Sequence, residues 1–485
     1  MIRRFEMIQQ KSVRWILVLF LGLAIRPGFT QTDVPEGKVS GLWSLANSPY
    51  HINGEITVPD DSTLTIEPGV EVVFTWYYKL NVQGRLLAIG TEQDYIVFSS
   101  SAVTGWHGIR FVDTPASNDS SNIVYCQIQD GKASGAFPDN CGGAICMSGY
   151  GKCVIAHCRI VHNSATYVGG GIVLGYGASP VIANNMIANN EAPYGGGLAC
   201  VGSCHPLTGN NLIIHNDATN LGGGIQMNQN SNPILFNNTI AYNHAGSGGG
   251  IDCRDNSDPT LINNIIWDNT ANDGDQVCLY SSNCDPHFYH CDIEGGLSGF
   301  GGPGIGENYG GTYQNNMDSD PMFLDASHND YHLSDSSPCI SAGLDSIQIG
   351  SKWYFSPALD FDGNPRPNPA GSLPDIGAYE SLQGNSASGV QVSAKQVPLS
   401  CVLMQNYPNP FNPCTTIRYR LPISGFVSLK IYNILGKEIA VLVREVKNEG
   451  CHSMEWQSGE HPTGIYFARL ESGETVETIR MVLQK

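Results

Sequence analysis

The sequence predicts an all-β protein: a solenoid of short stacked coils, with a small β-sandwich after it. Three observations carry that expectation. Glycine runs begin at Gly169, Gly195, Gly222 and Gly248, 26, 27 and 26 residues apart. A column of isoleucines keeps the same step at Ile160, Ile187, Ile213, Ile240, Ile266 and Ile293. The last 85 residues change to longer alternating strands broken by Gly and Pro turns. A fixed period of this size marks a solenoid, whose units bury their apolar faces only against their neighbours.

Each glycine run is followed by an apolar–variable–apolar triplet: Ile172-Val173-Leu174, Leu198-Ala199-Cys200, Ile225-Gln226-Met227 and Ile251-Asp252-Cys253. Period-2 alternation sends the first and third residues inward and is expected to turn the middle one to solvent. Helical repeats would need long apolar stripes of period 3.6 instead. Leucine-rich repeats share the period, but their leucine spacing is missing. Each unit therefore reads as a coil of short strands.

Asparagines stand in two further columns. One runs Asn185, Asn211, Asn238 and Asn264, with Cys126, Cys158 and Cys291 at the matching outer positions. The other runs Asn163, Asn190, Asn216, Asn243 and Asn269. Stacked amides can hydrogen-bond from coil to coil, as they do in cross-β ladders. Asparagine also tolerates the left-handed backbone of a sharp turn, so both columns are expected to turn corners.

By coil length, inward isoleucines and asparagine turns, residues 40–380 resemble the right-handed parallel β-helix proteins. Pectate lyases and many bacterial surface proteins share that architecture. The resemblance implies the fold. It leaves the function open, because this scaffold serves enzymes, adhesins and structural proteins alike.

The remaining elements follow in chain order. Arg3, Arg4, Lys11 and Arg14 precede the apolar run Trp15 to Ile25, which is too short to span a bilayer but suits a signal-peptide core. A signal peptide is expected over residues 1–30, and no transmembrane segment. Residues 31–120 read as an N-terminal cap and the first, less regular coils, and 121–300 as the regular coils. Residues 301–380 carry "DPMFLD", "DYHLSDSSPCISAG", "DFDGNPRP" and "DIGAYE", which resemble the choice-of-anchor closing segment found after β-helix repeats. A solenoid must cover its last coil or leave strand edges and apolar columns open. Residues 381–400 are small and polar, a linker.

Residues 401–485 alternate as short strands between Gly and Pro turns, the pattern of a compact, immunoglobulin-like β-sandwich. Their "NYPNPFNP" opening, "IYNILGKEI" and "GIYFARL" closely resemble the C-terminal sorting domain of type IX secretion cargo. The resemblance implies export across the outer membrane, with the type IX machinery as partner and a secreted or cell-surface location.

Charge narrows the partners. The chain has 25 Lys+Arg against 44 Asp+Glu, a net charge of −19. Nucleic-acid binding needs basic surface and is not expected. Anionic polymers are equally disfavoured unless cations bridge. Eleven of the fifteen cysteines lie between Cys126 and Cys291, several of them in inward columns. They serve either as small buried apolar residues or as disulfides such as Cys126–Cys158.

Two function classes remain. One is a secreted β-helix that binds extracellular polysaccharide or serves as a structural or adhesive scaffold. The alternative is a polysaccharide lyase or glycoside hydrolase working on the outer face of the coils. Resemblance to the lyases implies an Arg or Lys base beside acids that hold calcium. The best-placed group for that chemistry is Asp252, Arg254 and Asp255, with Asp258 nearby, on the face next to Gln226 and Asn228. The run Trp76-Tyr77-Tyr78 could stack against sugar rings or shield the first coils. Asp360 and Asp362 of "DFDGN" have the look of a calcium loop without the downstream Glu of an EF-hand. No other cofactor is expected. A calcium-dependent cleft between long surface loops, for example near Lys132 to Asn140, would favour the enzyme alternative.

Overall fold

The computed structural model describes residues 31–383, apart from 351 and 370, and residues 402–484 apart from a few turn positions. The expected signal peptide and most of the expected linker lie outside the described residues. The chain divides into two compact units, Met1–Ser388 and Gly389–Lys485. Among the described residues no helix is long and apolar enough to cross a membrane.

The first unit is a parallel β-solenoid in which successive coils add one strand to each of three long sheets. Sheet I has 11 strands, from Thr32–Val34 to Asp292–Ile293. Sheet II has 10, from Gly37–Lys38 to Val277–Leu279, and sheet III has 11, from Gly41–Trp43 to Thr312–Gln314. A shorter sheet IV holds five strands: Lys132–Ala133, Ser164–Ala165, Glu191–Tyr194, Asp217–Leu221 and His244–Ser247. The isoleucine column is the in-register core of sheet I, Ile160 to Ile293, every member fully buried. Ile172, Leu198, Ile225 and Ile251 stack the same way in sheet II.

The middle residues of the triplets are not exposed. Val173, Ala199, Gln226 and Asp252 point away from the core, as alternation requires, but all four are buried. The glycine runs cover them. A Cβ on Gly169, Gly195, Gly222 or Gly248 would stand 2.7, 2.7, 2.8 and 2.9 Å from the Cβ of Val173, Ala199, Gln226 and Asp252 respectively. These glycines also sit at φ of 63 to 70°. Only glycine meets both demands, which explains the repeat's most visible signature.

The asparagine columns run inward and form ladders. Asn185 Nδ2 donates to Asn211 Oδ1 at 3.0 Å, Asn211 to Asn238 at 2.9 Å and Asn238 to Asn264 at 2.9 Å. At the ends of that column thiols take over. The Cys158 thiol donates to the Ile123 carbonyl at 3.3 Å, and Cys291 Sγ accepts from the Asn264 amide at 3.4 Å. Cys126 and Cys158 are unlinked and buried. The left-handed corner falls one residue earlier, at Asn184, Asn210, Asn237 and Asn263 (φ 50 to 57°). The second corner lies likewise at His162, Asn189, His215 and Tyr242. Turning and laddering are thus divided between neighbours, because a residue whose amide is fixed inward by the stack has an ordinary backbone.

The last coil is covered by Phe300, Tyr309 and Tyr313, whose rings gather around Phe288; Phe288 and Phe300 are 5.2 Å apart. Residues 320–383 do not plug the end but double back along the flank as a strap. The corner amides of Asn184, Asn210, Asn237 and Asn263 donate to the carbonyls of Asp360, Leu359, Asp375 and Leu344. Tyr331 and Tyr379 pack over Ala188, Leu212, Ile214 and Ala241, an apolar patch on the outer face of sheet I. Arg366 and Glu380 form a fully buried ion pair inside the strap at 3.0 Å.

The "DFDGN" loop belongs to this strap. Asp360 is fully buried, and its oxygens accept from the Asn364 and Glu380 backbone amides at 2.7 and 2.9 Å. Asp362 meets His332 Nε2 at 2.7 Å, while Asp330 holds His332 Nδ1 at 2.6 Å. Both carboxylates suggested for calcium are therefore engaged by protein donors. The Asp362 hydrogen bond, aided by Asp330, raises His332 to about 9. A histidine raised above its unfolded value near 6.5 stabilises the fold fully below that value and loses the contribution as pH climbs through about 9. Hydrogen exchange should show the Asp330–Asp362 region better protected at pH 6 than at pH 10. His332→Gln should abolish that difference beyond the intrinsic exchange rates; an unchanged difference would leave the clamp without a role.

The second unit packs two antiparallel sheets. Val402–Leu403, Cys414–Leu421 and Gly450–Gln457 form one, and Glu438–Lys447, Gly425–Asn433, Gly464–Ser472 and Thr475–Leu483 the other. Ile417, Tyr419, Leu429, Ile431, Trp456, Leu470 and Met481 fill the space between them. It is a small β-sandwich with its own core.

Candidate functional site

Asp252, the centre of the acid–arginine group, is closed to a polymer. Asp252 is 0% exposed beneath the Gly248–Gly250 run, and neither of its oxygens meets a hydrogen-bond donor. Burial pushes its carboxyl well above the usual range, with the Arg254 charge opposing. The Arg254 guanidinium lies instead 4.5 Å over the Tyr280 ring. Asp255 sits on a left-handed turn and interacts with Ser281, and the Asp258 carboxylate accepts from the Asp285 amide. Asp255 is exposed and Arg254 and Asp258 are half-buried, so Asp252 alone of the four is cut off from solvent. Alternation placed Asp252 on the correct side of its strand; the covering layer removed it from solvent.

The aromatic run divides. Trp76 is 57% exposed, whereas Tyr78 packs against the core of the first coils. Tyr77 stacks on His107 with ring centres 4.7 Å apart, and its hydroxyl lies 2.8 Å from Ser134 Oγ. His107 Nε2 is 2.6 Å from the Asp139 carbonyl, and burial, assisted by the Arg110 charge, lowers it to about 4. That imidazole is a neutral support for the Tyr77 ring.

Tyr77 also lines an open groove of about 490 Å³, together with Thr104, Lys132, Ser134, Ser164 and Thr166. The groove includes Lys132 and Ser134, at the start of the Lys132–Asn140 stretch. Its exposed walls are mainly apolar, Ala133 among them, with the Tyr77 phenol, four hydroxyl side chains and Lys132 around the rim; the Lys132 ammonium donates to the Val103 carbonyl at 2.9 Å. Exposed aromatic rings stand around the same loop: Phe137 meets Tyr176, and the Tyr167 amide donates to the Asn140 carbonyl.

Lys132 and Ser164 are also the first two members of a row that sequence reasoning missed. Sheet IV pairs Lys132 with Ser164, Ser164 with Glu191, Glu191 with Asp217 and Asp217 with His244. Beneath the row lies a buried alanine column, Ala133, Ala165, Ala192, Ala218 and Ala245. The charged members of the row are exposed, and His244 Nδ1 sits 3.1 Å from Asp217 Oδ1. The signal was present in the sequence. In four of these five coils an alanine follows two residues after the ladder asparagine with a polar residue between them; in the first, Gly131 takes the asparagine's place.

Comparison with known families bears on both units. Residues 88–247 and 195–318 match the right-handed beta helix region family, and residues 405–484 match the secretion system C-terminal sorting domain. Residues 88–318 are a right-handed β-helix region and residues 405–484 a type IX sorting domain. No curated protein matches it. The β-helix match spans sheet IV, the Asp252 region and the groove residues other than Tyr77. The sorting domain coincides with the β-sandwich and directs the β-helix to the secretion machinery, hence to the medium or the cell surface.

Proposed function

We propose that this secreted β-helix binds extracellular polysaccharide on the face formed by the groove and sheet IV, and does so without turnover. The observation that carries the reading is the open groove itself, a mainly apolar hollow lined by the Tyr77 ring and Ala133, with Lys132 and four hydroxyl side chains beside them and the Tyr77 and Ser134 hydroxyls bonded to each other. A stacking ring beside several donors and acceptors is the chemistry that recognises sugars. The buried Asp252 and the Arg254 parked on Tyr280 support binding over elimination chemistry.

Affinity electrophoresis against a panel of polysaccharides should retard the full chain in at least one gel. Incubation with the same polymers, with and without calcium, should release neither unsaturated products nor new reducing ends. One observation favours the hydrolase alternative: Glu191 and Asp217 are exposed carboxylates on paired strands. Two carboxylates separated by about 5 Å can share glycosidic hydrolysis as acid and nucleophile. New reducing ends that vanish in Glu191→Gln would establish that alternative and overturn ours.

A further inference from the structure

We infer that the bound polymer is an uncharged, hydroxyl-rich polysaccharide lying along the coil axis on sheet IV, from the groove past Glu191 and Asp217 to His244. This rests on the binding reading above and adds the ligand class, the direction and the residues.

Direction follows from register. Each coil places one residue of the row, so the row runs perpendicular to the strands with a step of about 4.8 Å. That step is close to the length of one sugar unit, and a chain laid along it would meet a new side chain at every coil. A polymer laid parallel to the strands would cross only the two to five residues of a single one. The row is also firm. Its residues stand on paired strands over the buried alanine column, so their spacing is set by the ladder and not by loops.

Class follows from charge. Past the groove the row presents the Glu191 carboxylate and that of Asp217, one oxygen of which meets His244 Nδ1 at 3.1 Å, and the chain as a whole carries a net charge of −19. Uronate or sulfate groups would meet repulsion both locally and at long range. Carboxylates accept strong hydrogen bonds from sugar hydroxyls. The one cation of the groove, Lys132, already donates to the Val103 carbonyl. Hydroxyls of Ser134, Thr166 and Thr219 lie in the next positions of three of the strands or just beyond them, which suits the same neutral ligand.

The test uses the full chain in gels and in calorimetry, with β-glucan, xylan and galactomannan as neutral probes and polygalacturonate and alginate as acidic ones. A neutral polymer should bind, and affinity for its oligomers should climb with length up to about the five coils of sheet IV. Asp217→Ala should weaken it about tenfold, the worth of a hydrogen bond to a charged group. Arg159→Ala, at an exposed site on sheet I, should bind as the parent does. Glu191→Lys with Asp217→Lys should gain binding to polygalacturonate. These positions are exposed, so matching circular dichroism spectra should confirm that the variants fold.

Binding of a neutral polymer that ignores every sheet IV substitution would overturn the track and leave polysaccharide binding standing. Parental retention of acidic polymers in preference to neutral ones would overturn the ligand class. Binding to none of the five probes would overturn this inference; extending the panel to the remaining glycans would then decide the broader reading separately.

Discussion

Ile213→Asp combined with Ile240→Asp unfolds the β-helix unit. Both side chains are fully buried and stack in register between Ile187 and Ile266. Their neighbours above and below are isoleucines, so a carboxylate there has no partner within its own column. Burying an unpaired charge belongs to the small class of changes that each cost roughly 4 kcal/mol or more, a large part of a domain's total stability. In a solenoid each coil is supported by the coils on either side, so the damage spreads through the stack. Urea titration followed by circular dichroism should show the cooperative β transition of the parent lost or moved far toward low denaturant. His244→Asp, on the exposed row, should unfold at nearly the parental midpoint. A parental midpoint for the double variant would mean that the inward column is not the core.

Removal of Asn406 to Lys485 should strand a folded β-helix in the periplasm. The β-sandwich and the β-helix have separate cores, and the aromatic cover on the last coil belongs wholly to the first unit. The core of the β-helix is built from its own residues. The truncated protein should retain the parental melting transition of the β-helix while disappearing from the cell surface and the medium. Fractionation with immunoblotting reads the location, and limited proteolysis reads the fold. Surface or extracellular protein at parental levels would overturn the role of the sorting domain in this chain. Loss of the protein by degradation would instead show that the β-helix needs its second unit.

Much of the architecture was legible because a solenoid repeats its reasons. Ile187, Ile213 and Ile240 occupy equivalent environments, so the period, the strand triplets and the inward columns all appear as recurring letters. The candidate site was less legible. Asp252 stands out in sequence because alternation puts it on the outer face with Arg254, an acid beside a base, yet it is shut beneath the glycine run. Glu191 and Asp217 drew no notice, since charged residues on a coil surface look ordinary in sequence. Their spatial relation to the Tyr77 groove depends on residues more than a hundred positions apart.

The sequence by itself determined the coil period, the inward isoleucine and asparagine columns, and the sorting domain at the end, because each rests on local alternation or on a contiguous motif. Only the tertiary structure decided which outward residues meet water. Alternation tells on which side of a strand a side chain lies, but not what lies beyond it. The glycine runs fold over sheet II and bury Asp252, while the strap covers the apolar outer face of sheet I. Sheet IV leaves its polar row open, and that row brings the groove, Glu191, Asp217 and His244 into one line. Such coverage comes from packing between distant segments, which no single coil encodes.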